Sequence, residues 1–438
     1  MNDPSFNFLQ HWYPISPIED LDPQVPTPIL LLGRKFVVWK PKSSDRYCVF
    51  LDRCPHRLAP LSEGRIDDKT GNLMCSYHGW QFDPQGVCTH IPQAENPDLV
   101  AKNRDRYCVK TLPVQEVNGL LWVWPDPDSA EIAHTQPLPI SPQIDASQGF
   151  VWSSMVRDLE YDWQTLVENV ADPSHVPFSH HGVQGDRDQA VPLNLQIVES
   201  TPDYIEAHID RAAQTKIIFR PPCSLEYVIH ISPNRSWGFV TYCLPVAAGR
   251  SRLVAQFPRN FAQWQHRWIP RWWNHLSERN PVLDGDMILL HCQEQDLQDQ
   301  AGNWETAYKM PTSADRLVIE FRRWLDLNCP KPLPWGTREK TEPVLPPDRK
   351  RLLDRYHQHT LICSSCRRTL KTVHWLQRGL LAYGVIAIAI AAVLPDPLRF
   401  GIGLPLVLTA LLGLAFYAGL KYWLEPQFYF VDYVHAHK

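Results

Sequence analysis

The sequence reads Cys54-Pro55-His56-Arg57 and, further along the chain, Cys75-Ser76-Tyr77-His78-Gly79-Trp80. Each stretch places one cysteine close to one histidine, as C-x-H in the first and C-x-x-H in the second. Thiolates and imidazoles at such spacing are typical metal ligands, and a pair of this kind argues against a disulfide framework. We therefore expect one inorganic centre held by both stretches, within a small domain near the N-terminus.

Two cysteines and two histidines are the ligands of a Rieske [2Fe-2S] centre, in which thiolates hold one iron and imidazoles hold the other. Neutral histidines raise the reduction potential of such a cluster, so it can take electrons from a low-potential ferredoxin. A structural zinc site is the alternative, since it accepts the same residue types. Zinc sites usually space their first ligand pair by two or more residues, whereas only Pro55 separates Cys54 from His56. The spacing favours the cluster, with Cys54, His56, Cys75 and His78 as its ligands.

Composition limits the other functions that the chain could have. The 438 residues are 44% apolar and carry a formal net charge of -4. This length predicts two or three domains, and the scattered basic residues argue against nucleic acid as the principal partner. The 11 cysteines, an odd number, favour metal ligation in a reducing compartment over a secreted scaffold. The start Met1-Asn2-Asp3-Pro4-Ser5 has no basic or apolar stretch, so we expect no secretory signal and a bacterial or already processed chain.

The distribution of patterns predicts an α+β protein made of several units. Short β segments broken by Pro, Gly and Asp fill residues 28–128 and predict an all-β domain over residues 1–145. A polar, proline-containing stretch at 130–149 is interpreted as a linker. Helical patterns at residues 159–170 and 261–298, with several β segments between residues 195 and 242, then predict an α+β catalytic domain over residues 146–345. We assign residues 346–372 to a connector, 373–424 to two transmembrane helices and 425–438 to a C-terminal tail.

The predicted transmembrane helices form a hairpin. Residues 400–420 contain no charge, and as a helix they would span about 31 Å, which matches a hydrocarbon core of about 30 Å. Residues 375–394 are the second candidate, and Pro395-Asp396-Pro397 supplies the turn between them. Basic residues flank the outer ends, whereas the turn holds only Arg399, so both ends and the catalytic domain are expected on the cytoplasmic side. A buried hairpin in a soluble domain is the alternative.

A second set of candidate ligands lies in the segment Asn169-Val170-Ala171-Asp172-Pro173-Ser174-His175-Val176-Pro177-Phe178-Ser179-His180. If the preceding helix persists, Asp172 and His175 share a face, and the carboxylate can orient the imidazole. His175 and His180 lie about 140° apart around a helix, so they can bind one metal only if the helix breaks, and Pro177 supplies that break. Two histidines and one carboxylate form the facial triad of non-haem Fe(II) oxygenases. His181 is an alternative to His180.

The two motifs, in this order, resemble the Rieske non-haem iron oxygenases. The resemblance narrows in the C-terminal half, where His359-Thr360-Leu361-Ile362-Cys363-Ser364-Ser365-Cys366 precedes two apolar segments. This arrangement resembles the pheophorbide a oxygenase family, also called the lethal-leaf-spot or cell-death-suppressor family. Its relatives are Rieske proteins associated with the chloroplast-envelope translocon. The resemblance covers essentially the whole chain.

This resemblance implies an N-terminal Rieske domain, a helix-grip α+β catalytic domain with a mononuclear Fe(II), and a head-to-tail homotrimer. The cluster of one subunit would donate electrons to the iron of the next. Asp172 would bridge histidine ligands of the two centres, and Asn169 is a second candidate catalytic residue. The resemblance also favours Asp286, which precedes an apolar helix and a glutamine, as the carboxylate ligand, with Asp296 as the alternative. Ferredoxin would donate electrons, and a pigment-like macrocycle such as pheophorbide a would be oxygenated with opening of its ring. The membrane would be the thylakoid or plasma membrane if the source is cyanobacterial.

Cys363 and Cys366 form a C-x-x-C pair with more than one interpretation. We interpret it as a redox-regulatory dithiol that thioredoxin could reduce. Half of a metal site and a purely structural pair are the alternatives, and no second C-x-x-C completes a zinc ribbon. Two other functions also stay open for the chain. One is a hydroxylase or demethylase of another hydrophobic ring compound, and the other is a membrane-bound redox sensor or electron-transfer protein, against which the intact His175 and His180 pair counts.

Overall fold

The computed structural model describes residues 6–210, 214–300, 302–336 and 346–437, so the expected end of the catalytic domain at residue 345 lies outside them. The N-terminal part is all-β apart from two short helices, as the sequence predicts. Its strands are β1 (Tyr13–Pro17), β2 (Thr27–Leu31), β3 (Arg34–Trp39), β4 (Cys48–Leu51), β5 (Arg65–Ile66), β6 (Leu73–Met74), β7 (Gln81–Phe82), β8 (Cys88–His90), β9 (Thr111–Leu112), β10 (Val114–Val117) and β11 (Leu120–Val123). Its helices are α1 (Pro97–Lys102) and α2 (Ala130–Thr135).

These strands form three small antiparallel sheets, with the orders β1-β11-β10, β2-β3-β4-β9 and β5-β6-β7-β8. The third sheet is made of very short strands and carries one of the two predicted metal-binding loops, since Cys75 directly follows β6. The other loop follows β4, where Cys54 lies three residues beyond the strand. Two sheets therefore bring the C-x-H and C-x-x-H loops together.

The second part is built on one antiparallel sheet of seven strands, in the order β12-β18-β17-β16-β15-β14-β13. The strands are β12 (Val151–Leu159), β13 (Leu195–Thr201), β14 (Tyr204–Ile209), β15 (Gln214–Arg220), β16 (Ser224–Ser232), β17 (Arg235–Ala247) and β18 (Arg250–Arg259). The helices are α3 (Trp163–Ala171), α4 (Val176–Ser179), α5 (Gln263–Trp268), α6 (Arg271–Asn274), α7 (Asn280–Asp299), α8 (Trp304–Ala307), α9 (Arg316–Asn328) and α10 (Arg349–Leu352). Helices α3, α7 and α9 contact one another or the sheet, which confirms the expected α+β architecture.

Side-chain alternation explains how this sheet holds the helices. In β14, Ile205, Ala207 and Ile209 are buried, whereas the intervening residues are only partly covered. Alternate residues of a strand point to opposite faces, so one face of the sheet packs on the helices. Helix α3 is also amphipathic, because Trp163, Leu166 and Val167 lie on one side of it and are buried.

Three local predictions differ from the structure. The stretch 130–149 is not an open linker, because it contains α2 and the side chain of Gln143 donates to the backbone oxygen of Tyr227. Strand β12 was not predicted, although it pairs along its whole length with β18. The helical stretch expected from Phe261 to Gln298 is divided near Pro270, which cannot continue a helix because it lacks an N–H.

The two parts share one core. The ring of Trp122, in β11, lies 5.1 Å from the ring of Tyr242 in β17. The backbone N–H of Leu32 donates to the oxygen of Pro245, at 2.7 Å, and a second backbone bond follows at the next residue. Packing and hydrogen bonds together hold the N-terminal sheets against strand β17 of the seven-stranded sheet.

A helical hairpin made of α11 (Ser364–Val393), α12 (Asp396–Leu398) and α13 (Leu404–Gly419) emerges from this body. By length and composition, the spans Ser364–Val393 and Asp396–Phe428 are able to cross a membrane. Helix α11 begins at Ser364, nine residues before the predicted start, because residues 364–372 also carry helix-forming side chains. Most of the large apolar side chains in the hairpin are exposed, which distinguishes it from the buried alternative.

After the hairpin the chain returns to the body. Thr360 donates its hydroxyl to the oxygen of Phe428 at 2.7 Å, and the rings of Tyr356 and Tyr429 stack 4.8 Å apart. The guanidinium of Arg349 then pairs with Asp432 at 2.7 Å. The segment that follows the hairpin is therefore attached to the segment that precedes it.

Candidate metal centres and the apolar cavity

The two N-terminal ligand loops have the same backbone form. The N–H of Cys54 donates to the oxygen of Ala59 at 2.8 Å, and the N–H of Cys75 donates to the oxygen of Trp80 at 2.9 Å. In each loop the bond closes over five residues and directs the cysteine inward and the histidine outward. Because the two loops share this backbone geometry, they present equivalent ligand pairs although the spacing of their motifs differs.

The cysteines and histidines of these loops lie at different depths. Cys54 and Cys75 are 1% and 2% exposed, whereas His56 is exposed and His78 is half-buried. The two imidazole rings are 4.4 Å apart, and the ring of His56 stacks on Trp80 at 4.7 Å. A [2Fe-2S] cluster bound here would have its thiolate-held iron inside and its imidazole-held iron at the surface. The residues present fit the cluster, and its outer side is where an electron would leave.

The second centre combines two adjoining segments with a distant helix. The Nε2 atoms of His175 and His180 are 3.2 Å apart. Asp286, in α7, places one carboxylate oxygen 3.4 Å from His180 Nε2 and the other 3.8 Å from His175 Nε2. One ligand atom from each residue lies within 4.8 Å of the others, and His180 and Asp286 are buried. The arrangement fits one metal ion with a two-histidine, one-carboxylate face.

The alternative ligands do not join this group. Asp296 lies ten residues further along α7 and borders a different depression. His181 points elsewhere, because its Nδ1 atom accepts a hydrogen bond from the N–H of Arg187 at 3.1 Å. Among the described residues, the structure therefore brings together His175, His180 and Asp286, the set chosen from the sequence.

The orientation of His175 differs from the prediction. Helix α3 ends at Ala171, so Asp172 caps the helix instead of continuing it. The backbone oxygen of Asp172 lies 2.5 Å from His175 Nδ1, whereas its carboxylate is 3.8 Å away. Since a carbonyl only accepts, His175 carries its proton on Nδ1 and turns Nε2 toward Asp286. The carboxylate of Asp172 instead accepts from the N–H and hydroxyl of Ser174.

Pro177 is also placed differently from the prediction. It lies in the first turn of α4, where a proline is well tolerated, and the break between the two helices precedes it. The amide of Asn169, at the end of α3, is 3.4 Å from His175 Nε2. Asn169 and Asp172 thus lie beside the centre without being part of the three-residue ligand group.

Close packing of α7 supports His180. A Cβ atom at Gly285 would lie 2.8 Å from the oxygen of Ser179 and 3.2 Å from His180 Nδ1, so a larger residue would separate α7 from His180. Tyr433, from the C-terminal tail, packs at the same place and donates its hydroxyl to Ser179 O at 2.8 Å. Sequence analysis missed this role for Tyr433, because no local pattern links residues so far apart.

A cavity of about 440 Å³ leads to these three residues. Its walls come from the concave face of the seven-stranded sheet and from α7, and they are mostly apolar. The wall residues include Ile209, Ile229, Trp237, Phe239, Leu253, Phe257 and Val282. A volume and lining of this kind are typical of a site for a small organic molecule.

The cavity also contains one arginine. Arg279 ends a π-helical turn (His275–Arg279) that precedes α7, and its guanidinium lies 3.6 Å from the ring centre of Phe257. Burial lowers the pKa of Arg279, while the nearby Glu278, 3.0 Å away, opposes that shift. Its Nε atom has no hydrogen-bond partner within the described part of the chain.

The predicted redox pair does not line this cavity. Cys363 and Cys366 are fully buried at the start of α11, beside His275 and His359. Sequence reasoning did not include these two histidines, because one comes from the turn before α7 and the other from a turn just ahead of Cys363. The spacing His359-x3-Cys363-x2-Cys366 was the only available signal.

Comparisons with known proteins find matches to both the N-terminal part and the second part of the chain. The family model described as Rieske [2Fe-2S] domain matches residues 11–113, and the model described as pheophorbide a oxygenase matches residues 219–304. A chloroplastic pheophorbide a oxygenase of Oryza sativa subsp. japonica is 38% identical, covering 99% of this chain and 86% of that protein. A chloroplastic flavonoid 8-hydroxylase 2 of Ocimum basilicum is 34% identical over 98% of this chain and 86% of its own length.

Solved structures share the fold of the body. The crystal structure of dicamba monooxygenase bound to dicamba aligns with a TM-score of 0.59 and 20% identity. The alignment covers 74% of this chain and 98% of that one. At this identity the likeness shows the fold alone.

Proposed function

The chain belongs to the pheophorbide a oxygenase family of Rieske non-haem iron oxygenases, and from this membership we propose that it oxygenates a chlorophyll-derived macrocycle with ring opening. It would use dioxygen and electrons from a ferredoxin. The observation that carries the proposal is the apolar cavity that ends at His175, His180 and Asp286. Apolar walls suit the face of a hydrophobic ring, and the three polar groups lie where the ring would react.

We assign the metal ligands by the same geometry. Cys54, His56, Cys75 and His78 would hold the cluster, and His175, His180 and Asp286 would hold the mononuclear iron. A two-histidine, one-carboxylate iron supplies reductive activation of dioxygen at its open positions. The protein contributes orientation and exclusion of water. The carbonyl of Asp172 holds the proton of His175 on Nδ1, and the aromatic walls keep solvent away from the reacting edge of the substrate.

The position of Arg279 indicates one feature of the substrate. Its guanidinium lies in the apolar wall and is only partly compensated by Glu278. A carboxylate on the substrate would complete its hydrogen bonding and fix one end of the ring, since Arg pairs favourably with carboxylates. We therefore propose that the substrate is a hydrophobic ring that carries an acidic side chain.

Electrons would pass between subunits. His56 and His78 face outward, and the carboxylate of Asp172 is partly exposed next to His175. A head-to-tail homotrimer would bring the exposed imidazoles of one subunit to Asp172 of the next, with Asn169 beside it. Light scattering of the purified protein tests this arrangement, because a stable monomer with full turnover contradicts it.

The hairpin would anchor the enzyme in a membrane. Its exposed apolar side chains match lipid, and both of its ends attach to the catalytic domain. Basic residues near those ends favour a cytoplasmic position for the catalytic domain. A hydrophobic substrate dissolved in the same membrane would reach the cavity without crossing bulk water.

The test is turnover by the reconstituted holo-protein. Incubation with dioxygen, ferredoxin, its reductase and pheophorbide a should consume the pigment and yield a ring-opened, oxygenated product detectable by mass spectrometry. His175→Ala should abolish turnover and keep the absorbance of the cluster, whereas His78→Ala should lose both. Oxygenation by the His175→Ala protein contradicts the iron assignment.

A second candidate function is hydroxylation of another hydrophobic ring compound. The similarity to a flavonoid 8-hydroxylase favours a flavonoid as the first alternative to test. The same assay separates the two functions, because consumption of a flavonoid but not of the pigment contradicts the macrocycle proposal. A redox sensor or electron carrier would consume neither compound.

A further inference from the structure

Four buried side chains meet at the base of the hairpin, and none of them belongs to either candidate iron centre. They are His275, from the turn before α7, His359, from the turn Tyr356–Thr360, and Cys363 and Cys366 at the start of α11. All four are at most 2% exposed. Their ligand atoms lie within 4.8 Å of one another.

The distances have the size expected for one tetrahedral ion. Bonds of about 2.3 Å to sulfur and about 2.0 Å to nitrogen place neighbouring sulfur and nitrogen ligands about 3.6 Å apart. The sulfurs of Cys363 and Cys366 are each 3.6 Å from His275 Nδ1. The sulfur of Cys366 is also 3.4 Å from His359 Nε2. In a Rieske cluster the cysteines and histidines bind different irons, so a set this compact suits a single ion instead.

The hydrogen bonds of the two histidines point to the same conclusion. His359 Nδ1 is 2.6 Å from the backbone oxygen of Val156, and His275 Nε2 is 3.2 Å from the backbone oxygen of Ser154. A carbonyl oxygen only accepts, so each histidine carries its proton on the nitrogen that faces β12. The other two nitrogens then turn their lone pairs toward each other at a distance of 3.0 Å. Two facing lone pairs repel, and a cation between them removes that repulsion.

We propose that His275, His359, Cys363 and Cys366 hold one zinc ion in a closed structural site. Two thiolates and two imidazoles complete a tetrahedron and leave no open position, which is typical of structural rather than catalytic zinc. On binding, both thiols release their protons to solvent, and no oxidant or reductant is needed. The backbone oxygens of Ser154 and Val156 hold the histidine rings, as outer partners do in zinc proteins.

A charged pair next to the site supports this assignment. Arg271 donates to the sulfur of Cys363 at 3.1 Å and forms an ion pair with Asp20. The carboxylate of Asp20 also accepts from the N–H of Ser364, at 2.7 Å. The zinc site therefore joins three parts of the chain: the N-terminal domain through Asp20, strand β12 through the histidines, and the first apolar helix through the cysteines. It would fix the hairpin to the catalytic domain.

The redox interpretation of Cys363 and Cys366 predicts accessible thiols. A dithiol that thioredoxin reduces is partly exposed, whereas both of these sulfurs are buried. A disulfide between them would also remove both thiolate ligands and release the ion. Metal content and disulfide content therefore separate the two interpretations.

The first experiment is elemental and sulfide analysis of the full-length protein, purified in detergent without chelators. We expect three irons, two acid-labile sulfides and one zinc per chain. Zinc K-edge absorption of the same sample should show sulfur and nitrogen neighbours at about 2.3 and 2.0 Å. These readouts do not depend on oxygenase activity, so they can succeed even if the proposed substrate is wrong. Absence of zinc, a fourth iron, or a Cys363–Cys366 disulfide in the purified protein would overturn the proposal.

The second experiment uses variants of the site. Cys366→Ser and His359→Ala should each lose the zinc while the two sulfides and the paramagnetic signal of the cluster remain. Cys329→Ser removes another buried cysteine, outside the site, and should keep one zinc. Retention of a full equivalent of zinc in Cys366→Ser would overturn the proposal. If the variants do not fold, the metal content and absorption spectrum of the unmodified protein decide the question.

Discussion

The hydroxyl of Tyr433 lies 2.8 Å from the backbone oxygen of Ser179, although 254 residues separate the two in the chain. Ser179 directly precedes His180, so a residue of the C-terminal tail supports a proposed iron ligand. Burial raises the pKa of Tyr433, and the charge of Asp286 raises it further, which keeps the hydroxyl protonated as a donor. The structure therefore connects the end of the chain to the centre of the catalytic domain.

Replacing Tyr433 tests this connection. Tyr433→Phe leaves the buried oxygen of Ser179 without its donor, which costs about 1–3 kcal/mol. We expect a lower thermal unfolding temperature and a lower mononuclear iron content, with an unchanged cluster signal. Tyr422→Phe, on an exposed side chain of the hairpin, is the control and should change none of these. Equal iron content in Tyr433→Phe and the control contradicts the supporting role.

The choice between two aspartates gives the second prediction. Asp286→Asn should remove the mononuclear iron and lower turnover by more than the ~10–100-fold that loss of an outer partner causes. Asp296→Asn changes an aspartate of the same helix outside the group and should keep both iron and activity. Iron analysis together with the cluster spectrum makes the comparison. Loss of iron in the Asp296 variant alone would falsify the ligand assignment.

The third prediction concerns Arg279 and the acidic group of the substrate. Arg279→Met keeps an apolar side chain of similar length but removes the cation. A lost charge-assisted hydrogen bond is worth about 1.5–3 kcal/mol, so kcat/KM should fall about 10–100-fold, mainly through KM. The methyl ester of the substrate should show no such loss, because it has no carboxylate. An equal loss for acid and ester means that Arg279 only packs against the ring.

The fourth prediction addresses the packing of the hairpin. A Cβ atom at Gly384 would lie 3.2 Å from the side chain of Leu414, whereas nothing lies within 4 Å at Gly379 of the same helix. Gly384→Leu overpacks the contact and should cost about 1–3 kcal/mol. Hydrogen exchange in detergent should become about tenfold faster or more in α13, and Gly379→Leu should leave it unchanged. Similar exchange in both variants contradicts close packing of the two helices.

Most of the candidate site could be predicted because its proposed ligands occur in local motifs. Cys54, His56, Cys75 and His78 lie in two short loops, and the chemistry of the residue types identified them. His175 and His180 were recognised from one segment in the same way. Asp286 required the family resemblance, since spacing alone cannot connect a helix to a segment more than a hundred residues earlier.

The parts that were missed depend on long-range contacts. The helix end at Ala171 moved the orienting group from the carboxylate of Asp172 to its carbonyl, and sequence patterns locate helix ends poorly. His275 and His359 come from separate turns and meet Cys363 only in the folded chain. Tyr433 is in the same situation, because its partner is a backbone oxygen that leaves no trace in the sequence.

The return of the chain after the hairpin sets an order of events during synthesis. Residues 428–433 complete the catalytic domain, and the ribosome makes them after both apolar helices. Domains begin to fold from their N-terminal side as they emerge, so the support under His180 arrives last. The candidate oxygen-reactive centre would thus be completed only after both apolar helices have been translated.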